Sequence, residues 1–278
     1  MVRIVLDSSC DLPEDIRQKY GILSVPLQVT IGEESFRDWV ELHPDELFHR
    51  IATENIAPVT SQPIPGDWME VFEGCRNRGE EVLVITIPDA LSGTYQGAVL
   101  ARQEFPDLKM EIISATTASI GVPLILDTMG DAILSGASLE ELAETYRRLD
   151  ARVRTYVIVG DMTMLKRGGR ISGSTALIGN VLNIKPILVL TKEGKLEAFD
   201  KVRGFRKAVA RIREMFEKEG DPSMPAAVID AINPHEGDAL AAALREAAPE
   251  LRIIRSVVGS VIGSHVGPGT FATAYFAR

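Results

Sequence analysis

The residues of this chain best suited to chemistry are small and hydroxylic, and they gather around glycines. Leu91-Ser92-Gly93-Thr94-Tyr95-Gln96-Gly97 follows the apolar run Val82-Leu83-Val84-Ile85-Thr86-Ile87 and precedes a helical pattern. A chain that leaves a buried strand and enters a helix there presents free backbone N–H groups and the positive dipole end to an anion. Ser92 and Thr94 add hydroxyl donors, and Gly93 allows close approach. The commonest use of such hydroxyls is to cap the helix, so the stretch needs support from elsewhere. Three other segments supply it. Val59-Thr60-Ser61-Gln62-Pro63-Ile64-Pro65 sets hydroxyls and an amide in what reads as a loop stiffened by prolines. Leu165-Lys166-Arg167-Gly168-Gly169-Arg170-Ile171-Ser172 places three bases about a glycine pair, which reads as an anion-facing loop. Gly263-Ser264-His265-Val266-Gly267-Pro268-Gly269 reads as a tight turn aiming one imidazole.

These residues admit a second chemistry, in which Ser92 is the nucleophile of an esterase or acyltransferase and His265 its base. Ser92 does stand between a strand and a helix. Ala90-Leu91-Ser92 nevertheless lacks the glycine two residues before the serine that a nucleophile elbow needs, and no acid is marked as the orienter of His265. A phosphosugar or nucleotide sensor built on Arg167 and Arg170 has no base-reading motif behind it. A phosphate loop of the Gly-x-x-x-x-Gly-Lys-Ser/Thr type is absent, which argues against direct use of ATP. Cys10 and Cys75 are far apart and match no metal spacing, so neither a zinc site nor a disulfide scaffold is expected. Cys75 shares a helical face with Trp68, Val71 and Phe72 and reads as core.

An α/β frame must position these groups. At 278 residues the chain suits two domains. Val2–Leu6, Val82–Ile87 and Met110–Ser114 read as buried strands alternating with helices near residues 45–53, 67–78, 122–134 and 139–151. Ser138-Leu139-Glu140-Glu141 is a capping box. Ile22–Ile31 is strand-like, with Pro26 marking an edge or a bend. This alternation predicts an N-terminal parallel α/β/α sheet over 1–154. A strand from Thr155 opens a C-terminal mixed-sheet α/β domain over 155–278, where Gly194 marks a hairpin and a helix is expected over 175–182. The net charge of −9 disfavours a nucleic-acid partner. A strand-like start leaves no room for a signal peptide, and no apolar run approaches a membrane span, so a cytoplasmic location is expected.

Assembled in order, the chain resembles the DegV family of bacterial fatty-acid-binding proteins over essentially its whole length. The resemblance rests on Asp7-Ser8-Ser9 with Asp11-Leu12-Pro13, Thr60-Ser61-Gln62-Pro63, Leu91 to Gln96, Leu165 to Ser172, Asn183-Ile184-Lys185-Pro186, and His265 to Gly269. Cys10, where the family more often has a small residue or threonine, and Met162 and Met164 are small departures. The resemblance implies a two-domain α/β fold holding one long-chain fatty acid, such as palmitate, between the domains. It implies that Thr60 and Ser92 grip the carboxylate, with His265 and Arg170 at the same polar end and Ser61, Gly93 and Thr94 beside them. It further implies a carrier without catalytic residues or cofactor, a fatty acid kinase as the partner that phosphorylates the carboxylate, and room for transient membrane contact. Hydroxyls and a helix start at the mouth of an apolar tunnel suit such a ligand on physical grounds as well.

Overall fold

The computed structural model describes residues 1–54, 56–160, 162–172 and 184–278; the helix expected over 175–182 lies outside them. The first half of the chain is built on a four-stranded parallel sheet, ordered Leu23–Val25, Val2–Asp7, Glu81–Thr86 and Met110–Ser114. Its strands are apolar on both sides because both faces are covered. Val5, Val82 and Val84 pack on Trp68, Phe72 and Ala98 of the helices Pro65–Asn77 and Thr94–Arg102. Ile4, Leu6, Leu83 and Ile85 belong to a core shared with Ile16, Leu124, Leu142 and Tyr146 from three further helices.

The second half forms a seven-stranded mixed sheet. Its order is Ile253–Val257, Ala226–Asp230, Phe271–Phe276, Val153–Ile158, Ile184–Leu190, Leu196–Arg203 and Ile171–Ser172. One face carries the helices Phe205–Glu219 and Pro234–Ala247. The other face turns toward the first half, where Ala227, Ile229, Ala272 and Ala274 join the core of helix Gly121–Thr128.

Several elements differ from the sequence pattern. The run Ile22–Ile31 divides at Pro26, sending Leu23–Val25 to the parallel sheet and Gln28–Ile31 to a separate antiparallel sheet with Glu34–Arg37 and Val59–Ser61. Thr60 and Ser61 are therefore on a strand, not in the expected loop. The helix expected over 122–134 is two helices, Gly121–Thr128 and Gly130–Leu134, which meet at Met129. The strand Val153–Ile158 starts two residues before Thr155. The capping box at Ser138 forms with Glu141 as the spacing requires.

Buried carboxylates join these layers. Asp7 accepts from the backbone N–H of Ile87 at 2.6 Å and of Ser9 at 3.0 Å, which ties the ends of two adjacent strands. Asp11 accepts from the Ser119 hydroxyl and from Gly259 N–H at 2.9 Å. Asp38 accepts from the Ser8 hydroxyl at 2.7 Å and from Ser260 N–H at 3.1 Å, the first residue of helix Ser260–Val266. Gly259 has no room for a side chain, because a Cβ would collide with Trp39 and Asp11.

Burial pushes the Asp38 carboxyl up to about 7, partly offset by Ser8 and the N–H groups of Ser260 and Val261. A folded-state value raised above the unfolded one gives stability that is complete below about pH 4 and is lost as pH rises through about 7. Between about pH 5 and about pH 8, the melting temperature of Asp38→Asn should therefore gain steadily on that of the wild type. A difference that stays flat across this window, measured by thermal unfolding, would mean that Asp38 is ionised throughout.

Candidate functional site

The face of the mixed sheet that looks toward the first half does not close completely. A cavity of about 330 Å³ remains, walled by apolar side chains such as Leu27, Ile120, Val157, Leu190, Ile229 and Val261. Its size falls within the range of about 300–1,000 Å³ usual for small-molecule sites. Ser119, Thr155 and Thr270 are further polar lining. Thr60, Ser61, Gln62, Ser92, Gly93, Arg170 and His265 make one polar end, joined by the Thr60–His265 hydrogen bond, the Gln62 amide over Gly93 and the Arg170–Leu91 contact. Ser61, Gln62, Gly93 and Arg170 are exposed, so this polar end is the one at the protein surface.

Each group arrives from a different element. Thr60 is central in strand Val59–Ser61, paired with Val29. Ser92 and Gly93 precede helix Thr94–Arg102, whose N-cap is Gly93 with no side-chain cap bond. The Ser92 hydroxyl is 2.8 Å from that of Thr94 and 3.4 Å from its backbone N–H. Thr94 itself is fully buried behind Ser92 and does not line the cavity. Ser92 and Gly93 thus bring the amino end of this helix beside the cavity, where its positive dipole end favours an anion.

His265 is not in a turn. It occupies the last turn of helix Ser260–Val266, and the tight backbone expected around it begins at Gly267, with φ 73°. Its Nε2 lies 2.7 Å from the Thr60 hydroxyl, while Nδ1 is buried without a partner. Gly168 packs against the ring so closely that a Cβ there would collide with Nδ1. Burial, and secondarily the charge of Arg170, lowers the imidazole to about 4, so the ring is neutral at pH 7. In the tautomer with the proton on Nε2, His265 donates to Thr60 and leaves the Thr60 hydroxyl hydrogen for a ligand. That tautomer also leaves Nδ1 as an unprotonated acceptor rather than a stranded N–H.

The basic segment is likewise more ordered than a loop. Lys166 and Arg167 lie in the last turn of helix Thr163–Gly168, which ends at Gly169 in the left-handed region, φ 67°. Arg170 follows, exposed, and its guanidinium donates to the carbonyls of Gly168 and Leu91. It therefore bridges the basic segment to the Ser92 segment, and no carboxylate among the described residues pairs with it. Sequence reasoning underrated Gln62. Its side-chain amide lies over Gly93 and Gly97, where a Cβ at Gly93 would strike Oε1 and one at Gly97 would sit 3.4 Å from Nε2. Two glycines four apart at a helix start were the available signal. Among the described residues, no cluster of His, Cys, Asp or Glu is placed to hold a metal ion. No helix among them is long and apolar enough to cross a membrane.

Comparison with known proteins is consistent across the chain. A family model described as an uncharacterised protein family, DegV, matches residues 1–278. A DegV domain-containing protein of Caldanaerobacter subterraneus subsp. tengcongensis is 34% identical over 269 residues, covering 96% of this chain and 95% of that protein. A fatty-acid-binding DegV family protein from Thermus thermophilus has a solved structure similar to this one at a TM-score of 0.88, with 34% identity and coverage of 100% and 99%. DegV of Bacillus subtilis, a fatty-acid-binding protein, aligns at a TM-score of 0.88 with 28% identity and coverage of 100% and 99%.

The environment of His265 has a direct spectroscopic consequence. In long-range ¹H–¹⁵N spectra, its ring should remain a single neutral tautomer down to about pH 5 and titrate near 4. Arg170→Ala should raise that midpoint by removing the nearby charge. A midpoint above about 6 would refute the buried, neutral assignment.

Proposed function

The chain belongs to the DegV family, and on that premise we propose that it binds one long-chain fatty acid between its halves, 1–154 and 155–278, as a carrier. The observation that supports this most is an apolar cavity whose polar end, at the surface, unites Thr60, Ser92 and a neutral His265. An acyl tail fills the apolar part. The carboxylate accepts from the Thr60 and Ser92 hydroxyls, with the helix start at Thr94 adding its dipole. Ser61 and Gly93 flank the carboxylate, Thr94 orients Ser92, and His265 orients Thr60. The related proteins of Thermus thermophilus and Bacillus subtilis bind fatty acids, which agrees with this use of the cavity.

A surface-facing carboxylate would be available to a second protein, with Arg170 lining its end of the cavity and the exposed Lys166 and Arg167 in the helix just before it. This supports presentation of the bound acid to a fatty acid kinase, with phosphoryl transfer performed by that partner. The hydrolase reading has less support. Nε2 of His265 is engaged by Thr60 while Ser92 is engaged by Thr94, and Nδ1 has no carboxylate to orient it as a base.

Native mass spectrometry of the purified protein should show one bound acid of about 14 to 18 carbons, since each buried CH₂ adds about 0.8 kcal/mol and short chains bind weakly. A hydrogen bond to a charged group is worth about 1.5–3 kcal/mol, so Ser92→Ala and Thr60→Ala should each weaken binding about 10- to 150-fold. The double variant should be weaker still, and serine-directed phosphonates should leave the wild type unlabelled. Stoichiometric labelling at Ser92, with ligand retained by Ser92→Ala, would favour the hydrolase instead.

A further inference from the structure

The cavity that takes the acyl tail shares a wall with a second one. Thr155 and Leu190 line both. The second cavity, of about 230 Å³, is otherwise bounded by groups including Thr116, Thr117, Arg154 and Lys192. Strand register explains the shared wall. Val189 pairs with Tyr156 and Leu188 with Val157, so Leu190 falls beside Thr155 on the neighbouring strand and on the same face. On its other side Leu190 pairs with Leu196, another residue of the acyl cavity.

Thr155 is held in place from behind. Its hydroxyl lies 2.8 Å from that of Thr117, and both residues are buried. This hydrogen bond joins the second half of the chain to the first and fixes the Thr155 rotamer. Thr117 faces the second cavity, and its neighbour Ala118 lines the first. The partition is therefore about one side chain thick, with space on either side. An acyl chain that reaches it meets a braced side chain, whereas a chain that ends short of it leaves apolar wall unfilled.

We propose that Leu190 and the Thr155–Thr117 pair form the stop that sets the longest acyl chain this protein accepts. The inference rests on the fatty-acid carrier reading. Each methylene buried before the stop is worth about fourfold in affinity, and each one beyond it gains nothing. Shortening the stop side chains merges the two cavities and lets longer tails continue. The threonine hydroxyls and the Arg154 and Lys192 side chains beyond make the added space less favourable to a tail than the first cavity.

The test offers delipidated full-length protein an equimolar series of saturated acids from about 14 to about 24 carbons and reads the bound composition by native mass spectrometry. Leu190→Ala and Thr155→Gly should move the upper limit by about two carbons or more and raise the share of 20-carbon acid relative to 16-carbon acid about tenfold. Ile229→Ala enlarges the acyl cavity away from the shared wall and should give no comparable shift. Removing Thr155 leaves the Thr117 hydroxyl without its partner, so the opened variants are checked for folding by circular dichroism. Leu190→Phe carries the test in the opposite sense and should shorten the limit by about one to two carbons. A wild type that takes up no acid would defeat the carrier reading itself. A wild type that binds acids, with an unchanged limit in Leu190→Phe or in folded Leu190→Ala, would overturn the stop while leaving the carrier intact.

Discussion

The structure depends on how one short helix is held. Ser260–Val266 has seven residues, too few to persist by its own hydrogen bonds. Asp38 satisfies the first N–H groups of this helix, and Asp11 takes the N–H of Gly259 just before it. Gly263 packs against Phe48 in a space that a Cβ would overfill. The helix is thus clamped at its amino end by carboxylates more than 200 residues earlier in the chain. Its far end delivers His265 to Thr60. Asp38 directly follows the strand Glu34–Arg37, and Thr60 stands on another strand of the same three-stranded sheet. One small sheet therefore fixes both partners of the Thr60–His265 hydrogen bond.

That arrangement explains which features could be read in the sequence. The parallel strands were legible because burial on both faces leaves continuous Val, Ile and Leu runs, as in Val82–Ile87. The Ser92 segment was legible as a strand-to-helix junction, but helix capping is the commoner meaning of its hydroxyls, and only the other segments pointed beyond it. The glycine pair was visible, but its division of labour was not. Gly168 makes room for the His265 ring, and Gly169 ends the helix in a left-handed conformation. Both duties depend on a partner or a dihedral that spacing does not reveal. Gly263 and Gly267 similarly suggested a turn, where one is a packing contact within a helix and the other its end.

The gathering of Thr60, Ser92, Arg170 and His265 at one end of one cavity could not be derived from pattern alone. Resemblance to a family suggested it. The physical reason is the distance in sequence: the Thr60–His265 contact spans 205 residues. The positioning roles of Asp38 and Gln62 are hidden in the sequence for the same reason. A lone aspartate after a polar strand looks like ordinary surface, and the Gln62 amide reads only as one member of a polar cluster. Their roles appear when Asp38 meets a distant helix end and Gln62 a glycine face.

The electrostatics of the site follow from the same burial. The chain carries a net charge of −9, yet the proposed ligand is an anion. The carboxylates nearest the His265 helix are those of the clamp, and burial raises their affinity for protons, which reduces the negative charge they project. His265 is neutral and contributes a dipole; Arg170 supplies a cation at the solvent-exposed rim, where water screens it. A carboxylate bound as proposed would consequently meet hydroxyls and a helix end rather than a buried ion pair. A buried pair would bind the head so firmly that its later transfer or modification would require breaking a desolvated contact. With neutral donors, most of the affinity of the proposed ligand would reside in the tail, and the head would be oriented while remaining accessible. That division of labour is what the proposed carrier role requires.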